Sequence, residues 1–164
     1  MSTNLEPASH TLLPVALIGT AGPQRDRLTK LVLAGTKTAT SSLLSEWISE
    51  AEPLPRIGSM YQLVDSEGDT IAILEIIGVA TSRFDQVDDQ HARDKGEGDT
   101  TAAQWRVSHH REWPDITDDT TIVLSTSGSS PSHDSPRRSG SRESRFLDRG
   151  PARKKEEPPP PDGP

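Results

Sequence analysis

Large apolar side chains all but stop at Leu124. From Ser125 to Pro164 only Phe146 and Leu147 remain, and 8 of the chain's 14 prolines lie there among Ser, Arg, Gly and Glu. Such a stretch buries too little apolar surface to offset the entropy of ordering its backbone. The core must therefore come from the residues before Ser125. The expected organisation is a flexible N-terminal arm over 1–14, one folded domain over 15–124 and a disordered Ser/Arg/Pro-rich tail over 125–164.

This division sharpens the charge argument. Residues 1–124 carry 10 Lys/Arg against 19 Asp/Glu, while residues 125–164 carry 8 against 6. A domain that acidic is a poor match to a long phosphate backbone, so DNA is not an expected partner. A nucleoside or a short, locally recognised RNA element remains compatible. The chain has no cysteine, which removes disulfides and thiolate chemistry. The run "LLPVALIG" is too short to span a membrane, and the segment before it has Glu6 and no Lys or Arg, unlike a secretory leader. A cytoplasmic location and no membrane partner are expected; the sequence gives no oligomeric state.

Local patterns suggest the elements. "VALIGT" (15–20) reads as a short strand or packed entry segment. In "GPQRDRLTKLVLAG", Pro23 suits a first helical position, Leu28, Leu31 and Val32 form an apolar stripe, and Gly35 falls where a left-handed helix end belongs. Leu43, Leu44, Trp47 and Ile48 fit one face of a second helix. "SMYQLVD" and "DTIAILEIIGVA" form a hairpin whose second strand, apolar on both sides, is expected to be central. "FDQVDDQHARDK" reads as a weak helix capped by Asp85. "TAAQ" (101–104) is a capping box opening a helix with Trp105, His109 and Trp113 on one side. "TTIVL" (120–124) is a final strand. The fold class is α+β, a small barrel flanked by helices.

The hydroxyl-rich stretch between the first two helices is the candidate site. Lys37 stands among Thr36, Thr38, Thr40, Ser41 and Ser42. A turn-like path would put Lys37 beside Thr40, and a desolvated lysine can take a proton from a hydroxyl nucleophile. The competing reading is a solvated helix connection. Glu97, between two glycines, either presents a general acid/base carboxylate or marks a surface turn. Asp99 has a simpler role as a helix cap. Glu75 interrupts "IAILEIIG" and either faces the barrel mouth or lies at an edge. His91, His109 and His110 lack metal-ligand spacing, so no metal is expected. Trp105 and Trp113 either stack on a base or belong to the core. No phosphate loop, dinucleotide fingerprint or nucleophile elbow is present, and no cofactor is expected.

Together, "LVLAGTKTATSSLL", "EPLPRIGS", the hairpin, "FDQVDDQHARDKGEGDTTAAQWRVSHHREW" and "DDTTIVL" resemble the ASCH family. They are most similar to its bacterial branch, which carries Gly-x-Lys-Thr-x-Thr and a later Glu-Gly-Asp followed by tryptophan. The resemblance implies a PUA-like β-barrel flanked by helices, with a cleft for RNA or a nucleoside. One branch of the family comprises small amidohydrolases that deacetylate N4-acetylcytidine with a lysine, a threonine three residues later and a downstream glutamate. Carried over, these roles fall on Lys37, Thr40 and Glu97 as catalytic residues. Thr38, Ser41, Ser42, Glu75 and Trp105 are then the candidate substrate-binding residues.

Two departures stand out. Lys95 occupies a position where the branch often has an acidic residue. Beyond "TTIVL", members usually continue through an acidic-aromatic strand, whereas "STSGSSPSHDSPRRSG" follows here. The last strand is therefore expected to be truncated, with marginal stability as the result. Three readings follow: an amidohydrolase of a nucleobase-type amide, a non-catalytic RNA-binding or regulatory module, and a frame-shifted, poorly functional product.

Overall fold

The computed structural model describes residues 13–131. The arm over 1–12 and the tail over 132–164 lie outside the described residues. Five strands form one barrel-like sheet in the order β1-β3-β4-β5-β2. These are β1 (Val15–Ala16), β2 (Ala39–Leu43), β3 (Met60–Val64), β4 (Thr70–Arg83) and β5 (Thr121–Pro131). Only the β1–β3 pair is parallel. The α-helices are α1 (Pro23–Leu33), α2 (Leu44–Ser49), α3 (Asp89–Lys95) and α4 (Ala102–Glu112). The α+β class and the central position of the second hairpin strand are as the sequence predicts.

β5 organises the packing because its side chains alternate between two cores, while β4 lends Ala72, Leu74 and Ile76 to the first of them. Val123 joins Leu28, Val32, Trp47, Leu63, Leu74 and Ile76, on the side of α1 and α2. Ile122 joins Phe84, Val87, Ala92, Trp105 and Trp113, on the side of α3 and α4, with Leu43 and Leu124 packed against them. Helix α1 begins at Pro23, and Gly35 just beyond its end adopts φ 74°. That left-handed conformation turns the following N–H groups of Thr36 and Lys37 onto the Leu31 carbonyl and releases the chain into the segment that carries Lys37.

Three local expectations are corrected. The hydroxyl-rich stretch is not turn-like: Ala39–Leu43 pairs antiparallel with β5, and Leu43 ends that strand rather than opening a helix. Helix α2 is consequently only six residues long, with Trp47 buried and Ile48 70% exposed. "FDQVDDQHARDK" divides into a 3-10 turn over Phe84–Gln86 and α3, which is capped by Asp88 through its hydrogen bond from His91 N–H. Asp85 instead pairs with Arg83 at 2.9 Å.

The largest difference lies at the end of the domain. β5 does not stop at Leu124 but runs to Pro131, pairing with β4 as far as Ala72 and with β2 at Thr40 and Ala39. Ser and Thr conceal it because their β character comes from ladder pairing and not from apolar alternation.

Candidate functional site

The site is assembled where the segment entering β2 meets the loop between α3 and α4. Thr38 N–H donates to the Asp94 carbonyl at 2.8 Å and its hydroxyl donates to the same oxygen at 3.3 Å. Gly96 makes the approach possible. It adopts φ 65°, and a Cβ there would overlap the Thr36 carbonyl. Gly96→Ala is therefore expected to destabilise the domain by about 2 kcal/mol, read as a lower urea midpoint. Retention of the parental midpoint would show that the loop has slack.

Docked in this way, Lys37 Nζ lies 2.8 Å from Glu97 Oε2 and donates to the Ala39 carbonyl at 3.0 Å. The Lys37 side chain is 1% exposed and that of Glu97 17%, so the carboxylate is the member of the pair that meets solvent. Thr40, the residue after the lysine's carbonyl partner, is buried on β2 and shares a 2.9 Å hydrogen bond with Ser125 Oγ across the β2–β5 ladder. Lys95 Nζ is 3.3 Å from the same Glu97 oxygen.

The remaining candidates divide by strand geometry. Thr40 and Ser42 point to one face of β2 and Ser41 to the other. The Ser42 hydroxyl accepts from Trp47 Nε1 at 2.9 Å, while Ser41, fully buried, shares a 2.7 Å hydrogen bond with His91 Nε2. Both hydroxyls thus have partners within the packed domain. Glu75 does not line this group; it is exposed on β4 opposite Met60 and Gly128. Trp105 is a core residue, with its ring stacked 4.2 Å from His109 and no exposed surface. Thr101 caps α4 by accepting from Gln104 N–H, and Asp99 accepts from the Ser108 hydroxyl.

His91 is a sensitive point in this packing. Burial, reinforced by the nearby positive charges of Lys95 and Lys37, lowers its pKa to about 4. The unfolded chain then binds a proton near pH 6.5 that the folded chain refuses until about pH 4. Stability should fall as pH drops through that window, by about 3 kcal/mol in total. His91→Gln should flatten the decline; parallel pH curves for parent and variant would refute this.

Among the described residues one acidic group has metal-like spacing. Asp65, Glu67 and Asp69 gather within 4.8 Å at the β3–β4 turn, where Asp65 also accepts from the backbone N–H groups of Glu67 and Asp69. Those internal hydrogen bonds account for the cluster as turn chemistry. No helix among the described residues is long and apolar enough to cross a membrane.

The family model of the ASCH domain matches residues 15–127, a span that includes both sides of the Thr40–Ser125 pair. The chain belongs to the ASCH family. Its fold is similar to a crystal structure of a protein from Enterococcus faecalis V583, with a TM-score of 0.65, 24% identity and coverage of 72% of this chain and 76% of that one. It is also similar to an ASCH domain from Lactobacillus crispatus, with a TM-score of 0.62, 26% identity and coverage of 71% and 79%. No curated protein matches the chain.

Within this ASCH domain, sequence reasoning misses Ser125, which it assigns to the tail, and the contacts of His91, Lys95 and His109. The signal for Ser125 is the alternation of "TIVLSTS": position 125 continues the face of Val123. Nothing in the sequence alone joins Lys95 to His109, 14 residues apart.

Proposed function

We propose that this ASCH domain binds a nucleobase-type ligand and hydrolyses a small amide of the N4-acetylcytidine class. The observation that carries the proposal is the partly buried 2.8 Å contact of Lys37 with Glu97, next to a strand that presents Thr40 in hydrogen-bond contact with Ser125.

The chemistry requires a nucleophile, a base to receive its proton and an acid for the leaving amine. Lys37 passes a proton to Glu97 across their contact. Thr40 Oγ1 then attacks the acetyl carbon as its proton moves to Lys37, whose Nζ is held on the Ala39 carbonyl immediately before Thr40 and not by the turn the sequence suggests. Glu97 returns its proton to the departing cytosine amine, so the carbon–nitrogen bond breaks with proton balance kept within the pair. Water cleaves the resulting threonyl ester, releasing acetate and restoring the hydroxyl. Ser125 supports the reaction by orienting the Thr40 hydroxyl.

Chromatography of N4-acetylcytidine incubated with the purified chain tests the reading, with cytidine as the expected product. The acidic balance of residues 1–124 favours a small neutral substrate over a long RNA. Turnover should accordingly change little with salt, whereas phosphate-directed RNA binding weakens steeply. A folded sample that yields no cytidine and binds short RNA with a steep salt dependence would replace the hydrolase by a binding module.

A further inference from the structure

Lys95 departs from the residue expected of the branch, and its surroundings give that departure a role. It is 3% exposed, at the end of α3. Its Nζ lies 2.7 Å from His109 Nε2 and 3.3 Å from Glu97 Oε2. His109 is itself buried, and its Nδ1 lies 2.8 Å from the Trp105 carbonyl. A carbonyl only accepts, so Nδ1 carries the proton. The neutral ring is left with a lone pair on Nε2, and the Lys95 ammonium donates to it. Trp105 and Trp113 pack around the imidazole at 4.2 and 4.7 Å between ring centres and fix its plane. Glu112 Oε2, 3.7 Å from His109 Nε2, lies on the solvent side of this group with its side chain 36% exposed.

We infer that Lys95, held by His109, is a positioning residue that sets the Glu97 carboxylate against Lys37. Both ammonium groups address one oxygen of Glu97, which fixes the rotation of the carboxylate and leaves its other oxygen for the ligand. A backbone-anchored imidazole holds a flexible lysine in place as water would not. The inference rests on the reading of Glu97 as the group that protonates the leaving amine, but its geometric part stands apart from the reaction.

The test pairs kinetics with a crystal structure of Lys95→Met, an apolar replacement of similar length. Glu97 is expected to turn away from Lys37, with kcat for N4-acetylcytidine down on the order of 10–100-fold and KM little changed. His109→Gln keeps an acceptor at the Nε2 position and should retain most of the rate, whereas His109→Leu should behave like Lys95→Met. That pair keeps the test open if Lys95→Met fails to fold. A Glu97 carboxylate unmoved in either Lys95→Met or His109→Leu overturns the inference whatever the rate. Absence of turnover in the parent would instead overturn the hydrolase reading, while a displaced Glu97 would still support Lys95 as its positioning residue.

Discussion

Lys37→Ala should lower the rate of cytidine release from N4-acetylcytidine by about 10³-fold, within the range spanned by general acid–base groups. It should also cost stability, because one half of a buried ion pair is removed. The full cost of breaking such a pair is about 3–5 kcal/mol. Here it is reduced, since Glu97 reaches solvent and keeps Lys95 as a neighbour; about 2 kcal/mol is expected. The two effects separate cleanly. Rates are compared on samples shown to be folded by circular dichroism, and urea midpoints give the stability. A folded Lys37→Ala protein with parental turnover would make Lys37 a docking residue for the α3–α4 loop and remove the proposed mechanism.

The sequence marks the parts of this candidate site without joining them. A lysine among hydroxyls also suits a solvated connection and a glutamate between glycines a surface turn, and only the family resemblance pairs them; the fold brings Lys37 and Glu97 into contact across 60 residues. What the sequence conceals is which way each hydroxyl points. "TATSS" is compatible with a turn or a strand, and only pairing with β5 decides that Thr40 and Ser42 face one core and Ser41 the other. Trp105 shows the opposite limitation: a tryptophan at helical spacing suits either a stacking platform or a core, and its burial on the inner face of α4 against Phe84 and Ile122 decides for the core. Glu75 is exposed because β4 alternates, with Leu74 and Ile76 inward and the carboxylate between them outward. The end of the domain is misread for a related reason. Apolar content finds the residues that make a core, but an edge-to-edge ladder is held by backbone hydrogen bonds that serine, threonine and glycine make as well as valine.

The segment 125–131 therefore carries the second large effect. A chain ended after Leu124 loses the β5 partners of Ala39 and Thr40 on one side and of Ala72 through Val79 on the other. The ladder N–H and C=O groups of β2 and β4 that faced it are left open, at about 1–3 kcal/mol for each one that stays buried. Several such losses match the whole stability of a small domain, which is about 5–15 kcal/mol. The 1–124 chain should show no cooperative urea transition. A chain ended after Pro131 retains every described ladder and should unfold cooperatively at the parental midpoint. The same pair of truncations bears on the chemistry, because ending at Leu124 also removes Ser125 from Thr40. Ser125→Ala in the full chain isolates that contribution, since it leaves the backbone ladder in place and removes only the hydroxyl. A cooperative, parental-like transition in the 1–124 chain would mean that β2 and β4 do not depend on the serine-rich half of β5, and that the domain closes at Leu124 after all.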